Sequence, residues 1–307
     1  MSVQLSAGYP DLGTMGFIPT LYADEVNVKY YAACLLPQIT NSKFTGKIKD
    51  MGDKIIIPNR PTATVRNYTK GQELVRQIPE SVQVEMNVNR AKYYCMALDH
   101  VDEKQSQIFL QKEYIFDAVK QMAIAIDTDF FADIYNKADS SNMGTTAGKI
   151  SGAFNLGAAT GGLALTKSNV VEFITAVRSV LAEQNAFTGK CWVVVPEWCR
   201  NILMNSDLKN AALTGMDKST LMTGKIMEID GLSIYISNLM YNVSDGTRTC
   251  TYIMGGNGDA IAHVAQLTKT RLYEAQNTFA LVMDGLQVFD WKVIKPEGLV
   301  SAICYKG

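Results

Sequence analysis

The two histidines are the first residues to consider for acid–base catalysis or metal binding. His100 and His263 lie far apart in the sequence and show no paired ligand spacing. A zinc site or a histidine-based catalytic triad would need more partners than these two residues offer. We therefore expect both histidines to be structural.

Three aspartates, Asp127, Asp129 and Asp133, suggest a metal cluster by their proximity in the sequence. The surrounding pattern predicts a helix, in which successive residues turn by about 100°. Asp127 and Asp129 then point about 200° apart, whereas Asp129 and Asp133 share one face. A solvated helix face is the favoured interpretation.

The stretch GGNGD, Gly255 to Asp259, resembles a phosphate-binding loop only in its glycines. It lacks the Lys and Ser/Thr of a P-loop and the glycine spacing of a dinucleotide-binding fingerprint. We therefore expect a tight turn after the strand TCTYIM.

The composition is that of a folded protein without a strong overall charge. The chain has 307 residues, 47% hydrophobic and 19% charged, which suits one large domain or two modest ones. With 29 Lys and Arg against 30 Asp and Glu, the net charge of -1 supplies no overall field that would attract nucleic acid.

The cysteines and the first residues indicate the compartment. The opening residues lack the basic and apolar regions of a signal peptide, and no window approaches the ~18 apolar residues of a membrane span. The six cysteines form no C-x-x-C motif. We expect reduced, largely buried thiols in a cytoplasmic product, with no cofactor and no membrane partner.

A long two-stranded excursion is predicted from about residue 58 to residue 89. GDKIIIP reads as a strand, and SVQVEMNV places Val82, Val84, Met86 and Val88 on one face at period two. Between them lies the polar tip TKGQELVRQIPE, and the excursion has few large residues to bury.

Charges of both signs alternate along this excursion, which favours registration against another protein over nucleic-acid binding. The candidate residues of an assembly interface are Arg66, Tyr68, Lys70, Glu73, Arg76 and Glu80.

Helical spacing follows the excursion. Residues 102 to 136 contain no Pro or Gly and predict a helix of about 35 residues, roughly 50 Å long. A connection rich in Gly, Ser and Thr, residues 140 to 162, is expected to pack loosely. A second helix is predicted from residue 168 to residue 185, with Ser168 as its cap.

The second half of the chain reads mainly as strands. CWVVVP is a buried strand, and Thr223 to Leu239 holds two short alternating runs hinged on a tight turn at Asp230-Gly231. Residues 260 to 267 fit either a helix or a strand. The stretch NTFALVMDGLQVFDWKVI predicts a hairpin-like pair.

These features specify shape and supply no reactive group. A broken N-terminal arm, an excursion that cannot bury itself and an overlong helix all need a neighbour to cover their apolar faces. The sequence therefore favours an assembly protein. The alternative from another class is a soluble α+β enzyme that uses Asp or Tyr groups.

The order of five segments resembles the major capsid proteins of tailed bacteriophages, whose Hong Kong 97-type fold is shared with encapsulins. GDKIIIP with NYTKGQELVRQIPESVQVEMN resembles the extended loop, and DEKQSQIFLQKEYIFDAVKQMAIAIDTDFF resembles the spine helix. CWVVVPEWCRNILMNSDLKN and TGKIMEIDGLSIYISNL resemble the axial domain, and FALVMDGLQVFDWKVIKPEGLV resembles the strand that returns through the peripheral domain.

The resemblance implies an α+β fold with five parts. They are an N-terminal arm (1–50), an extended β-hairpin loop (51–98), a peripheral domain with the spine helix (99–185), an axial domain (186–272) and return strands (273–307). The first 50 residues are too short and broken for a built-in scaffolding segment, so a separate scaffolding protein is implied. Lys70 matches the isopeptide lysine of some relatives by location only, and that chemistry is not carried over.

The resemblance also implies a function without catalysis. Copies would form pentamers and hexamers of an icosahedral shell, assembled in the host cytoplasm and found in the virion. The implied partners are further copies, a portal and packaged double-stranded DNA contacted non-specifically. An encapsulin-like compartment shell is the alternative within the same fold.

Overall fold

The computed structural model describes residues 31–32, 34–43, 54–58, 61, 63–78, 83–101, 110–206 and 228–307. Its helices are α1 (Leu36–Ile39), α2 (Leu110–Ile134), α3 (Val170–Glu183) and α4 (Glu197–Met204). Its strands are β1 (Lys54–Pro58), β2 (Gln83–Asn87), β3 (Arg90–Asp99), β4 (Leu163–Leu165), β5 (Cys191–Val195), β6 (Glu228–Ile229), β7 (Leu232–Ile236), β8 (Asn242–Ser244), β9 (Thr249–Asn257), β10 (Ile261–Glu274), β11 (Ala280–Val293) and β12 (Leu299–Lys306).

The predicted buried strand CWVVV forms the centre of a seven-stranded sheet. All five residues of β5 are buried, as expected for a strand covered on both faces. The strands lie in the order β4, β12, β9, β5, β7, β6, and β8 pairs with β9. Because β12 comes from the end of the chain and β4 from its middle, the sheet joins distant segments.

The turn predicted at Asp230-Gly231 is confirmed between β6 and β7. Asp230 has φ 50 and Gly231 has φ 76, the left-handed conformations that a two-residue hairpin turn requires. A Cβ on Gly231 would lie 2.9 Å from the Phe187 ring, so glycine also permits close packing.

The hairpin predicted within residues 277 to 294 is wrong, because β11 runs unbroken through Asp284-Gly285. Strand β11 lies between β10 and β3 in a three-stranded antiparallel sheet. A Cβ on Gly285 would lie 2.1 Å from the Tyr94 ring, which covers this glycine. The Asp-Gly pair therefore marks a close approach inside a strand, and the stretch from residue 260, left open between helix and strand, forms β10.

Helix α2, within the predicted range 102 to 136, is fastened along β3 by ion pairs. Lys92 Nζ lies 2.6 Å from Asp129 Oδ2, and Arg90 Nη2 lies 3.1 Å from Asp133 Oδ2. Trp291 Nε1 of β11 donates to the same Asp133 oxygen at 2.7 Å. The solvated face expected for Asp129 and Asp133 is therefore an attachment surface. Residues 102 to 109 lie outside the described residues.

Burial and pairing oppose each other at Asp133. Burial raises the pKa of Asp133, but hydrogen bonds from Lys137 and Trp291 and the charge of Arg90 outweigh that effect. The pKa therefore lies below its ordinary value, and the carboxylate stays ionised where the helix meets the sheet.

The chain crosses between the two sheets at two adjacent places. Strand β9 ends at Asn257 and β10 begins at Ile261, while β11 ends at Val293 and β12 begins at Leu299. The crossings are joined by hydrogen bonds, because the N–H groups of Ile294 and Lys295 donate to Ala260 O at 2.8 and 3.2 Å.

Two glycine-rich stretches pack more tightly than expected. In the connection 140–162, Leu156 is fully buried, and a Cβ on Gly157 would lie 2.2 Å from Ile303 O. Gly255 and Gly256 belong to β9, where a Cβ on Gly255 would lie 2.8 Å from Val177 of α3. Only the last part of GGNGD forms the turn.

The helix and cysteine predictions are adjusted in detail. Helix α3 begins after Asn169, which makes no side-chain capping bond, so the predicted Ser168 cap is wrong.

Cys191, Cys199, Cys250 and Cys304 are buried, while Cys34 is half-buried and Cys95 is exposed. No helix within the described ranges is both long and apolar enough to cross a bilayer.

Residues 35 to 41 pack into the core of their own chain. Leu36 and Ile39 are buried, and Asn41 N donates to Ile261 O at 2.9 Å. The Asp127 carboxylate of α2 is 2% exposed and accepts the N–H groups of Leu35 at 2.5 Å and Leu36 at 3.4 Å. Asp127 thus caps α1 from another helix.

Substitutions of Asp127 will separate its capping role from the cost of its burial. Asp127→Ala should lower the free energy of unfolding by about 1–3 kcal/mol, because two buried N–H groups lose their acceptor. Asp127→Asn keeps an acceptor oxygen, so its loss should be smaller. Chemical denaturation of both variants measures the difference.

The stability of the same variants should also depend on pH in different ways. Burial raises the pKa of Asp127 above its ordinary value, against the lowering effect of its two backbone hydrogen bonds. The stabilisation linked to protonation is therefore present at low pH and lost as pH rises through the folded pKa. As the pH rises through the folded pKa of Asp127, Asp127→Asn should therefore gain stability relative to the original protein. A difference in the free energy of unfolding that stays constant with pH would contradict the raised pKa.

Candidate assembly surface

The base of the predicted excursion is a short antiparallel pair with one buried face. Strand β1 pairs with β2 in a register that places Ile55 opposite Met86. Ile55, Ile57, Met86 and Val88 are buried in a small cluster with Ala262 and Val264 of β10. The period-two pattern in the sequence therefore specifies which face is attached, as expected for a strand.

Beyond this base, the excursion carries little regular pairing. Thr64 N donates to Gln77 Oε1 at 2.8 Å across the two arms. At the tip, Gln72 N donates to Thr69 O at 3.0 Å, and Gly71 takes φ 87. We call residues 63 to 78 the loop. Its tip lies at Lys70-Gly71, where the polar tip was predicted.

The structure places five of the six predicted interface residues on the loop. Arg66, Tyr68, Lys70, Glu73 and Arg76 are all exposed. None of the four charged residues among them forms an ion pair with another described residue. Glu80 lies outside the described residues.

The sequence reasoning missed the apolar members of this surface. Val65 is 94% exposed, Leu74 79%, Val75 66% and Ile78 88%. Burying such side chains in a partner is favourable by roughly 25 cal/mol per Å². In the sequence these residues lie among the charged ones, but the predicted site contained the polar side chains and Tyr68 alone.

Two further apolar surfaces were not predicted as sites. Tyr114, Phe116 and Val119 of α2 are partly exposed. On the three-stranded sheet, Tyr93 and Tyr273 are exposed on one face and Leu272 on the other, and Phe279 is exposed just before β11. Exposed apolar groups in patches commonly mark protein interfaces.

A metal-binding cluster is not seen in the described ranges. No group of three or more His, Cys, Asp or Glu side chains there is placed to hold a metal ion. Asp127, Asp129 and Asp133 contact different partners, as given above. The arrangement can bind other surfaces through apolar contacts and charge pairs.

Solved structures match this fold along nearly the whole chain. A structure from Mycobacterium phage Che8 aligns with a TM-score of 0.75 at 20% identity, covering 93% of this chain and 96% of that one. The capsid structure of cyanophage P-SCSP1u aligns at 0.69 with 14% identity, covering 99% and 97%. The capsid of the native GTA particle aligns at 0.68 with 12% identity, covering 99% and 100%.

The chain has the fold of a phage capsid protein. No family model matches it, and no curated protein matches it in sequence. The capsid fold is thus recognised through its three-dimensional arrangement, with sequence identity at or below 20% in these three structures.

The loop's attachment to the capsid fold can be tested at its base. Ile55→Ala should destabilise β1 and β2 by about 2–4 kcal/mol, because Ile55 fills the cluster on Ala262 and Val264. Ile56→Ala is the matched control: Ile56 is half exposed on the opposite face and should cost under about 0.5 kcal/mol. Native-state hydrogen exchange of both strands measures the two effects, and equal effects would contradict the packing described.

Proposed function

We propose that this protein is the major capsid protein of a tailed bacteriophage. Its copies assemble into an icosahedral shell of pentamers and hexamers that encloses double-stranded DNA. The fold shared with phage capsid structures over 93% to 99% of the chain supports this proposal. The loop of exposed apolar and charged residues carries it, because no described residue of its own chain buries this surface.

The proposed domain plan follows the Hong Kong 97-type arrangement. The N-terminal arm spans residues 1–50, the extended loop 51–98, the peripheral domain 99–185 with α2 as the spine helix, the axial domain 186–272, and the return strands 273–307. The return of β11 to the three-stranded sheet and of β12 to the seven-stranded sheet supports this plan. Pairing of β10 with β11 favours one amendment to this plan, which moves residues 261 to 272 from the axial to the peripheral domain.

The proposed contact between copies follows from the loop. The loop lies over an adjacent copy, and residues of the N-terminal arm that are not packed in their own core reach beside it. Each contact between copies contributes a few kcal/mol. Every copy makes several such contacts, and together they stabilise the closed shell. Arg66, Tyr68, Lys70, Glu73, Arg76 and Glu80 are the polar part of this proposed interface.

The proposed partners are a separate scaffolding protein, a portal and packaged DNA. A net charge of -1 suits non-specific DNA contact better than tight binding. The protein acts without catalysis, is assembled in the host cytoplasm and resides in the virion.

Deletion of residues 66 to 80 tests the role of the loop in assembly. The deleted protein should fold, with a circular dichroism spectrum like that of the full chain, but should fail to form shells. Electron microscopy and sedimentation of the expressed protein, with and without a scaffolding partner, measure this result. Normal shells from the deleted protein would refute the loop contact.

A single substitution gives a sharper test of the apolar contact. Leu74→Asp places a charge where Leu74 would be buried by a neighbour, so assembly should fall at least tenfold while monomer stability is unchanged. Asn67→Asp is the matched control, since it adds the same charge to the loop without removing an apolar group. Equal loss of assembly in both variants would show that charge, and not apolar burial, is decisive.

A further inference from the structure

Three tyrosines from three elements meet where α2 ends beside the seven-stranded sheet. Tyr135 directly follows α2, Tyr241 precedes β8, and Tyr252 belongs to β9. The ring centroid of Tyr135 lies 4.4 Å from that of Tyr241 and 4.7 Å from that of Tyr252. All three residues are partly exposed, so small molecules in solution can reach the cluster.

The backbone around each of these rings is held in place. Tyr252 N donates to Tyr241 O at 3.0 Å, which extends the pairing of β8 with β9 by one residue. Tyr135 follows Ile134, which is fully buried in the main core. The contact between the rings is therefore built into the fold, although about a hundred residues separate Tyr135 from Tyr241 in the sequence.

The angles between the rings distinguish the three pairs. The rings of Tyr135 and Tyr241 are stacked, with an angle of 19° between their planes. The angle is 62° between Tyr135 and Tyr252 and 43° between Tyr241 and Tyr252. Tyr135 and Tyr241 thus face each other, whereas Tyr252 presents a tilted ring to both.

Stacked phenol rings are oriented for radical coupling. The unpaired electron of a phenoxyl radical occupies p orbitals that are perpendicular to the ring plane. Two such radicals therefore form a carbon–carbon bond most readily face to face. A pair that is already held in this geometry avoids most of the entropic cost of bringing two reacting groups together.

We propose that Tyr135 and Tyr241 form a dityrosine cross-link when the protein meets a one-electron oxidant. Each phenol gives one electron to the oxidant and one proton to water, which leaves two phenoxyl radicals. A bond then forms between one Cε atom of each ring. The hydrogen on each of these carbons moves to the phenol oxygen of the same ring, so both rings become aromatic phenols again. The pair loses two electrons and two protons in total.

The cross-link would join the end of α2 covalently to the seven-stranded sheet. It closes a loop of about a hundred residues, and a covalent link across a long loop restricts the unfolded chain. The cross-linked protein should therefore unfold at a higher concentration of denaturant. Both tyrosines belong to one copy and lie outside the loop of residues 63 to 78, so the cross-link does not depend on the proposed shell contact.

Photo-oxidation of the full-length protein tests this site. Visible light, tris(bipyridyl)ruthenium(II) and persulfate supply the one-electron oxidant. We expect blue dityrosine fluorescence in the band of monomer mass on a denaturing gel, in a yield that does not depend on protein concentration. Mass spectrometry of the digested band should show the peptide of Tyr135 joined to the peptide of Tyr241, with the loss of two hydrogen atoms.

Two matched variants test the choice of pair. Tyr241→Phe keeps the ring but removes the phenol, so the yield of dityrosine in the monomer band should fall at least about tenfold. Tyr252→Phe makes the same change in the same cluster and should keep most of the yield, because the ring of Tyr252 is stacked on neither partner.

Three results would overturn the proposal. They are a cross-link that maps to Tyr252, an equal loss of yield in the two variants, and dityrosine that forms only between molecules through exposed tyrosines such as Tyr93. If Tyr241→Phe does not fold, the peptide map of the original protein decides the outcome, since it requires no substitution.

Discussion

The Asp133 carboxylate joins α2 to the three-stranded sheet, near the end of the helix that packs into the main core. It accepts hydrogen bonds from Arg90 of β3 and Trp291 of β11, and it pairs with Lys137 one turn beyond it. Arg90 also stacks 4.2 Å over the Trp291 ring. The same end of α2 buries Phe130, Phe131 and Ile134 in the main core. A half-buried carboxylate requires these hydrogen-bond donors, and they come from different elements. Asp133 therefore fixes the positions of α2, β3 and β11 relative to one another and to the core.

Much of the fold could be predicted from local pattern, and the errors share one physical cause. The buried strand at Cys191–Val195, the turn at Asp230-Gly231 and the long helix follow from short-range periodicity and turn chemistry. The wrong hairpin arose because Gly285 lacks a side chain to make room for Tyr94, which is 191 residues earlier. Packing of the 140–162 connection against Ile303 also depends on a contact between residues that are far apart in the sequence. Such contacts leave no trace in a local window.

The exposed loop was predictable in position, but its apolar residues were not. Period-two alternation located the loop and its attached face, and Gly71 located the tip. Charged residues were recognised because interleaved signs are visible in a sequence. Val65, Leu74 and Ile78 required the structure, because an apolar residue in a strand-like stretch is usually buried, and only the observed exposure separates the two cases.

The paired crossings at Ala260 and Ile294 couple the two sheets through the backbone. Each sheet is connected to the other by two covalent tethers of a few residues, held side by side through Ala260 O. A displacement of the seven-stranded sheet is therefore transmitted to the three-stranded sheet through the backbone of these tethers, without depending on side-chain contacts. Because hydrogen bonds to Ala260 O hold the two tethers together, a change in the spacing of the two sheets has to move both tethers as a pair.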